Sequence, residues 1–381
     1  GRELGANQFM KHVDSLMKQA IADNVFPGGV LLISKEDSII FFEAYGYANI
    51  FSKVKMIKDT IFDLASLTKS LATTLAIMRL IGQHKLDLEQ NLGSLLPRFK
   101  KTNKAPIAIK HLLCHNSGLP DYRPYYNELR NLAPNMRKVG LRALLVKEPL
   151  LYPIGKRVLY SDLGFMLLGW VVESVSNKRL DHFVTEEIYR PLGLVTDSGP
   201  ALFFVDLASE PRAGRFAATE LCPWRNILLD GAVHDDNAYV VGGIEGHAGL
   251  FGTAEAVYIL VSALLSAFYG RSESGLFPKE LVHTFFKQQK DSDKALGFDT
   301  PSLLDSSCGN YFSRKSVGHL GFTGTSFWAD LDSWIIVILL TNRIHPSRYN
   351  TKIKAFRPKL HDIIMKNIIN RSPPKELVIQ Q

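Results

Sequence analysis

A serine that precedes a lysine by three residues can act as a nucleophile, because burial pushes a lysine toward the neutral form that accepts the hydroxyl proton. Four serines in the 381-residue sequence have this spacing: Ser15, Ser52, Ser66 and Ser372. Ser66 alone precedes a stretch that is apolar nearly all round, which predicts a buried helix. Positions i and i+3 share a helix face, so Lys69 should lie beside Ser66. A snorkelling lysine at a helix start explains this tetrad equally well.

A second group of polar residues, Tyr160-Ser161-Asp162, comes between a turn and an apolar stretch at 163–172 that reads as a helix. A tyrosine at such a junction can point into a cleft, and it can transfer protons when a nearby cation lowers its pKa. Capping of the helix by Ser161 or Asp162 is the structural alternative. Capping and an active-site role are compatible, so Tyr160 stays a candidate proton-transfer group.

A third candidate is the run His319-Leu320-Gly321-Phe322-Thr323-Gly324, which leads into a strand-like segment. Its glycines would let a substrate approach the backbone closely. A strand beside the nucleophile could also supply backbone N–H groups that bind an oxyanion. A glycine-rich turn before an ordinary strand is the alternative.

The elements that must position these groups form an ordered pattern. Residues 7–23 have helical periodicity and precede a hairpin of strands at 30–34 and 39–46, whereas 324–330 and 334–341 read as strands before a helix at 351–370. This pattern predicts an α+β fold, in which an antiparallel sheet built from both chain ends is flanked by helices and carries a large, mostly helical insertion. We place the sheet lobe at 1–75 and 245–370, the helical lobe at 76–244 and a loose tail at 371–381.

Composition narrows the function classes. The net charge of +8 is dispersed and lacks aromatic interleaving, so a nucleic-acid partner is not expected. No apolar run reaches the ~18 residues of a membrane-spanning helix.

Cys114, Cys222 and Cys308 fit neither a zinc site nor a disulfide framework, although the sequence allows one disulfide with one free thiol. Residues 233–252 hold histidines, acidic residues and glycines, but their spacing favours a packed loop over a metal site. We expect no metal and no cofactor.

The three motifs, in this order, resemble those of the serine β-lactamase and penicillin-binding-protein superfamily. The class C β-lactamase-like branch, which includes esterases, D-Ala carboxypeptidases and muropeptide amidases, is the most similar group. The segments 112–119 and 155–173 also resemble family segments, and the likeness spans roughly 7–365. It implies the β-lactamase/transpeptidase-like fold and an acyl-enzyme mechanism.

The resemblance also implies a role for each matching residue. Ser66 would attack the carbonyl, while Lys69 and Tyr160 would transfer protons. The backbone N–H groups of Ser66 and Phe322 would form the oxyanion hole, with Gly321 supporting that strand. His319 would contact the substrate and the tyrosine–serine pair. A structural role is expected for His115.

Two positions depart from the usual family pattern. Asp162 stands where asparagine is common, and a carboxylate there favours a charged Lys69, which leaves more of the proton transfer to Tyr160. His319 replaces a lysine that helps to bind the carboxylates of penicillins and D-alanyl peptides. A histidine is only partly charged at neutral pH, so strong β-lactamase activity is not expected.

Both departures resemble members linked to cell-wall turnover, and we therefore predict a serine hydrolase of a D-Ala carboxypeptidase or muropeptide amidase type. The alternatives are a small-ester esterase, a weak class C-type β-lactamase, or a penicillin-binding receptor that is acylated without turnover. A small molecule or a peptidoglycan fragment would be the substrate. The resemblance favours a bacterial envelope, periplasmic or extracellular location, while a cytoplasmic one, the oligomeric state and an export signal before Gly1 stay open.

Overall fold

The computed structural model describes residues 2–209, 211, 214–272 and 274–369. The α-helices of this part are α1 (Arg2–Ala22), α2 (Thr74–Gly82), α3 (Leu92–Leu95), α4 (Ile109–Leu113), α5 (Tyr126–Leu129), α6 (Arg137–Lys147), α7 (Asp162–Ser176), α8 (Leu180–Val184), α9 (Asp236–Val240), α10 (Ala254–Phe268), α11 (Lys279–Phe286) and α12 (Ile353–Ile369). Its strands are β1 (Gly28–Lys35), β2 (Ser38–Asn49), β3 (Val54–Lys55), β4 (Phe62–Asp63), β5 (Val195–Thr196), β6 (Gly199–Pro200), β7 (Leu202–Phe204), β8 (Leu221–Cys222), β9 (Ile227–Leu228), β10 (Leu250–Gly252), β11 (Ser316–Gly321), β12 (Thr325–Asp330) and β13 (Ile335–Thr341). The predicted tail at 371–381 lies outside the described residues.

The main sheet has six strands in the order β11-β12-β13-β1-β2-β3, and its strand pairs are antiparallel. Leu31 of β1 pairs with Leu339 of β13 on one side and with Glu43 of β2 on the other. Strands from the two ends of the chain therefore meet at β1. The predicted antiparallel sheet built from both chain ends is confirmed.

Both faces of the sheet are covered, which explains why β1 is a continuous apolar run rather than an alternating one. Leu31 and Ile33 pack in the core that α1 and α12 cover, whereas Val30 and Leu32 belong to the larger core that includes α10. The predicted helices at 7–23 and 351–370 are α1 and α12. The predicted strands at 324–330 and 334–341 are β12 and β13, each shifted at the start by one residue.

The segment between β4 and β11 is mainly helices and loops. The apolar helix α7 packs against α2 and α4 at the centre of the larger core. This segment also contributes to three small sheets, namely the three-stranded sheet β4-β10-β7 and the two-stranded sheets β5–β6 and β8–β9. No helix among the described residues combines the length and apolar character needed to cross a membrane. The three cysteines are buried and free, so the disulfide that the sequence left open is not formed.

Asn342, the residue after β13, joins the sheet to the inserted segment. Its side-chain Oδ1 accepts a hydrogen bond from the backbone N–H of Gly28 at 3.1 Å, and its Nδ2 donates to the carbonyl oxygens of Ala48 and Ala218, each at 3.2 Å. The side chain is 1% exposed. Its loss would leave the Gly28 N–H and the Ala218 carbonyl oxygen without these partners, whereas the Ala48 carbonyl oxygen would keep its hydrogen bond from the Ala218 N–H.

We expect Asn342→Ala to lower the free energy of unfolding by about 2–4 kcal/mol, because each orphaned buried group costs ~1 kcal/mol or more. Calorimetric melting of the purified variant measures the effect as a lower Tm. The matched control is Asn131→Ala, because Asn131 is exposed and should change stability by less than about 0.5 kcal/mol. Equal melting temperatures for the two variants would contradict the joining role of Asn342.

Candidate active site

Ser66 lies directly after a strained turn. Ala65 has a φ of +49°, a left-handed conformation that costs of order 1 kcal/mol or more for a residue other than glycine. Asp63 holds this turn, since its Oδ1 accepts the Ala65 N–H at 2.9 Å. The carbonyl oxygen of Asp63 also accepts a hydrogen bond from the Thr323 hydroxyl at 2.7 Å. The turn before Ser66 is thereby linked to the third motif.

The helix after Ser66 is not the regular α-helix that the sequence predicts. It begins at Leu67 and forms a π-helical turn over Lys69–Thr73 before α2 starts. A π turn changes which backbone carbonyls are bonded within the helix, and side chains bond two carbonyls of this segment. The Thr74 hydroxyl donates to the Lys69 carbonyl at 2.6 Å, and the Tyr189 hydroxyl donates to that of Leu71 at 2.7 Å.

The Lys69 ammonium lies at the centre of the site and is fully buried. Its Nζ donates to Ser66 Oγ at 2.9 Å and to the carbonyl oxygen of His247 at 3.2 Å, and it pairs with Asp162 Oδ1 at 2.8 Å. Burial by itself lowers the pKa of Lys69, but the charge of Asp162 and the contact with Tyr160 outweigh it and raise the pKa above its ordinary value. The lysine is therefore positively charged at neutral pH, and it is not the neutral base that burial alone predicts.

Tyr160 and its neighbours lie at the start of α7. Ser161 is the N-cap, as its hydroxyl accepts the Gly164 N–H at 3.2 Å. His115 Nδ1 accepts the Ser161 N–H at 2.9 Å, and its ring centroid lies 4.7 Å from that of Tyr160. This position fits the structural role expected for His115. Burial, reinforced by two neighbouring lysines, places the pKa of His115 well below its ordinary value, so its ring is neutral.

The Tyr160 hydroxyl is within hydrogen-bonding reach of both Ser66 and Lys69. The Lys69 Nζ also lies 4.8 Å from the centroid of the Tyr160 ring. Burial raises the pKa of Tyr160 above its ordinary value, while Lys69 acts in the opposite direction. The residue is therefore a neutral phenol at pH 7, hydrogen-bonded in a position where it can both accept and donate a proton.

His319 is part of β11 and is buried, with its ring centroid 5.9 Å from that of Tyr160. Its Nδ1 lies 2.9 Å from the Leu320 carbonyl oxygen, which can only accept, so the proton is on Nδ1 and Nε2 has a free lone pair. Burial lowers the pKa of His319 although Asp299 opposes it. The ring is neutral at pH 7, whereas the sequence predicted a partly charged one.

Gly321 lies against the segment before Ser66. A Cβ atom at this position would lie 2.7 Å from the carbonyl oxygen of Leu64, which is too close for any side chain. The sequence argument attributed the glycines to close approach of a substrate. At Gly321 the structure gives a different reason, since the group that approaches is the protein's own backbone.

Ser66 and Phe322, the two residues expected to supply the oxyanion donors, line the same cavity. The N–H groups of Ser66 and Phe322 make no backbone hydrogen bond among the described residues. Ser66, Tyr160, His319, Gly321 and Phe322 line one cavity of about 340 Å³. Lys69 and Asp162 are not part of this lining; the buried Lys69 contacts Ser66 and pairs with Asp162. The structure thus brings together all seven residues that the sequence selected.

Sequence reasoning missed two ion pairs beside these residues. The Lys294 Nζ lies 2.8 Å from Asp299 Oδ1 and 5.6 Å from the centroid of the Tyr160 ring, and Asp299 lines the cavity. His247 Nε2 lies 2.6 Å from Asp235 Oδ2. The residues of the first pair are 5 positions apart and those of the second pair are 12 apart, and neither spacing belongs to a known catalytic or metal motif.

The second pair lies where the sequence predicts a packed loop, at 233–252. This segment contains α9 and β10, and Asp235 is the N-cap of α9. Ligand atoms of Asp162, Asp235 and His247 lie within 4.8 Å of one another, a spacing that could suit a metal ion. The Lys69 ammonium already supplies a positive charge at this place, with contacts to Asp162 and to the His247 carbonyl. Asp162 and the His247 carbonyl oxygen in this cluster therefore serve as acceptors for a buried lysine.

This arrangement of sheet and helices is shared with known structures. EstCE1, a hydrolase with promiscuous acyltransferase activity, superimposes with a TM-score of 0.75 at 23% sequence identity, and covers 95% of this chain and 100% of its own. The octameric penicillin-binding-protein homologue from Pyrococcus abyssi gives a TM-score of 0.71 at 20% identity, with coverage of 95% and 77%. Likeness at this level of identity establishes the fold, and it confirms the predicted β-lactamase/transpeptidase-like architecture.

Sequence comparison identifies the family. The family model described as Beta-lactamase matches residues 13–358, and the chain therefore belongs to the β-lactamase family. The N-acetylmuramyl-L-alanine amidase of Bacillus subtilis (strain 168) is 34% identical over 365 residues, which are 88% of this chain and 81% of that protein. A putative D-alanyl-D-alanine carboxypeptidase of Escherichia coli (strain K12) is 32% identical, with coverage of 88% and 82%. The predicted family and hydrolase class are confirmed.

The ion pair between Lys69 and Asp162 has a measurable consequence for pH dependence. In Asp162→Asn, burial acts on Lys69 without the opposing carboxylate, so the pKa of Lys69 should fall. A neutral amine is then populated at lower pH than in the wild type. Because the protonated Lys69 stabilises the negative charge that develops during the attack, we expect the acylation rate with p-nitrophenyl acetate to begin to fall at a lower pH in the variant than in the wild type.

The control for this experiment is Asp121→Asn, which removes an exposed carboxylate while its backbone carbonyl still accepts the Asp162 N–H at 2.9 Å. Its pH–rate profile between pH 6 and 10 should superimpose on that of the wild type. An Asp162→Asn profile that also superimposes would show that Asp162 does not set the charge of Lys69.

Proposed function

We propose that this protein hydrolyses an amide bond of a peptidoglycan-derived muropeptide through an acyl-enzyme on Ser66. The observation that carries the proposal is the position of Ser66 Oγ, which borders an open cavity and contacts a buried ammonium and a phenol at once. A serine in this setting has a proton acceptor and a fixed positive charge beside it. Ser15 and Ser52, the other serines with an SxxK spacing in the part of the chain that the structure describes, are exposed.

In the acylation step, Ser66 Oγ attacks the carbonyl carbon of the amide. Because the Tyr160 pKa is raised, the phenol is not deprotonated beforehand. It acts as a relay that accepts the Ser66 proton while it passes its own proton to the departing amine nitrogen. The C–N bond breaks, an ester forms on Ser66, and the amine leaves as a neutral molecule. The Lys69 ammonium keeps its proton throughout and stabilises the negative charge that develops on the two oxygens.

The carbonyl oxygen becomes an oxyanion during this attack. The backbone N–H groups of Ser66 and Phe322, which have no backbone acceptor among the described residues, are the donors that would bind it. The left-handed turn at Ala65 and the close packing of Gly321 on Leu64 hold these two donors in place. Two preset donors need no rearrangement when the charge develops, which is why such a site lowers the barrier.

Deacylation uses the same proton transfer through Tyr160, with water as the nucleophile. A water molecule attacks the ester carbonyl, its proton passes to Tyr160, and Tyr160 returns a proton to Ser66 Oγ. The products are a carboxylic acid and the free serine. The neutral His319 ring, whose Nε2 lone pair is unprotonated, is a further acceptor near Tyr160 that could orient this water.

The substrate class is supported by the relatives. An amidase of Bacillus subtilis that is named for N-acetylmuramyl-L-alanine and a putative D-alanyl-D-alanine carboxypeptidase of Escherichia coli each align with 88% of this chain. Both names refer to amide bonds in peptidoglycan peptides. Asp162 and His319 differ from the residues that we associate with strong β-lactamase activity, and this favours amide turnover over penicillin hydrolysis.

The proposal is tested with two substrates, N-acetylmuramyl-L-alanyl-D-isoglutamine and a tripeptide ending in D-Ala-D-Ala, followed by mass spectrometry of the products and of the intact protein. We expect turnover of one of them. Ser66→Ala should lower the rate by at least about 1000-fold and abolish any covalent adduct. Tyr160→Phe should lower it by about 10²- to 10⁴-fold, because the relay is lost.

The matched control is Ser52→Ala, since Ser52 has the same SxxK spacing but is exposed in a turn between β2 and β3. It should leave both rates unchanged.

Release of muramyl product identifies an amidase, and release of D-alanine identifies a carboxypeptidase. Turnover of neither substrate alongside fast hydrolysis of p-nitrophenyl esters would contradict the proposal in favour of an esterase. An adduct with penicillin that persists without turnover would favour a receptor.

A further inference from the structure

Three adjacent loops that the proposed mechanism does not use expose large apolar side chains. The β2–β3 hairpin contributes Ile50, Phe51 and Val54, which are 37%, 58% and 42% exposed. Leu221, at the start of β8, is 52% exposed, and Tyr349, in the loop after β13, is 86% exposed. We call these five residues the apolar surface. Single exposed apolar residues are ordinary, whereas several on neighbouring loops indicate a binding surface.

Direct contacts hold the three loops side by side. The Ile50 N–H donates to His345 Nε2 at 3.0 Å, and the centroid of the Phe51 ring lies 5.6 Å from that of the His345 ring. The Leu221 N–H donates to the carbonyl oxygen of Pro346 at 2.9 Å. The loop after β13 therefore joins the β2–β3 hairpin to the start of β8, and the apolar surface is a fixed feature of the fold.

The charge at the tip of the β2–β3 hairpin is positive. Lys53 and Lys55 are exposed and flank Val54 in the sequence. The chain has no acidic residue between Glu43 and Asp59. Glu43 lies on β2, an extended strand, seven residues before the hairpin tip, which places it about 23 Å away. The two lysine charges beside the apolar side chains are therefore not compensated within the hairpin.

The other two loops do not reverse this charge. Glu220 precedes Leu221, but it is buried and pairs with the Arg348 guanidinium at 2.8 Å. Lys352, three residues after Tyr349, is exposed and adds a positive charge. An occupant of the apolar surface must therefore offer both an apolar phase and negative charge.

A second copy of this chain meets that requirement poorly. β3 is the end strand of the main sheet and has two residues, which is too short for pairing with the sheet of another molecule. A two-fold contact through the hairpin would also bring Lys53 and Lys55 close to the same lysines of the other copy, and like charges oppose association.

We propose that the apolar surface binds peripherally to an anionic lipid bilayer. Ile50 and Phe51 would insert at the boundary between headgroups and acyl chains, where buried apolar area favours binding. Lys53 and Lys55 would contact the lipid phosphates, because a lysine can lay its methylene stem along an apolar layer and keep its ammonium at the headgroups. The aromatic ring and hydroxyl of Tyr349 suit the same boundary.

This attachment would also orient the Ser66 cavity. Tyr349 lies between Arg348, whose guanidinium carbon is 6.0 Å from the centroid of the Phe322 ring, and Thr351. Phe322 and Thr351 both line the cavity. A protein bound through the apolar surface would thus hold the cavity close to the lipid headgroups.

Vesicle sedimentation of the full chain tests the proposal. The vesicles consist either of phosphatidylcholine alone or of three parts phosphatidylcholine and one part phosphatidylglycerol. We expect binding to the anionic vesicles at least about fivefold tighter than to the neutral ones, with the difference reduced at high salt because ions screen the lysines. Replacing Ile50 and Phe51 together by serine should weaken anionic binding about tenfold or more. Lys53→Gln with Lys55→Gln should remove the preference for anionic vesicles.

Matched controls keep exposed residues of the same types outside the apolar surface. Leu303→Ser with Leu304→Ser removes two apolar side chains that are 88% and 83% exposed, and Lys100→Gln with Lys101→Gln removes two exposed lysines. Both control pairs should bind anionic vesicles like the wild type. Every variant should keep the wild-type Tm, because all of the replaced side chains are exposed.

A fluorescent label reports insertion independently of these substitutions. Cys114, Cys222 and Cys308 are buried, so a Ser52→Cys variant can be labelled at the exposed hairpin tip with an environment-sensitive dye. Anionic vesicles should shift its emission to the blue, and lipids brominated in the acyl chains should quench it. The same label on Leu303→Cys should not respond.

Several results would overturn the proposal. They are absence of binding to anionic vesicles, equal binding to both vesicle types, binding that survives loss of Ile50 and Phe51, and a label at Ser52→Cys that does not respond. A dimer in sedimentation velocity that the Ile50 and Phe51 replacements abolish would assign the apolar surface to a second copy instead. These measurements involve no hydrolysis, so failure to cleave muropeptides would contradict the proposed function alone.

Discussion

The structure around Ser66 depends on one buried positive charge. The Lys69 ammonium is out of contact with solvent, and a charge in that position persists only when other groups replace its hydration shell. Asp162, the His247 carbonyl, Ser66 and Tyr160 do so, and they come from α7, the segment before β10 and the turn before α2. Each of these elements must therefore be in place for the lysine to be stable, and the same contacts place the serine and the phenol.

The backbone around this charge is correspondingly irregular. The left-handed Ala65, the π turn over Lys69–Thr73 and the contact of Gly321 with Leu64 each depart from regular geometry within a few residues of Ser66. Strain of this kind is kept only where surrounding contacts overdetermine it. The Asp63 carboxylate, which accepts the Ala65 N–H, and the Tyr189 hydroxyl, which donates to the Leu71 carbonyl oxygen, supply such contacts. The regular sheet and the apolar helices provide the stability that tolerates them.

The sheet and the flanking helices could be predicted from local hydrophobic periodicity, whereas the seven candidate site residues were selected by motif spacing together with the resemblance to a known family. It did not predict the π turn, since no local composition distinguishes a π turn from an α-helix. It also missed Arg357 and Arg343, which have no motif and look like ordinary members of a basic C-terminal region. Both side chains are buried in the lining of the Ser66 cavity, a position that depends on how α12 packs against the sheet.

The place of β1 in the middle of the sheet affects how the chain is made. β1 pairs with β2 at once, but its other edge waits for β13, which begins about 300 residues later. At 5–20 residues per second, a ribosome needs roughly 15–60 s to produce that strand. During this interval the apolar edge of β1, including Leu31 and Ile33, has no partner strand, and such edges associate readily with other chains. Production of this protein should therefore depend on holding chaperones and on low temperature more than its final stability suggests.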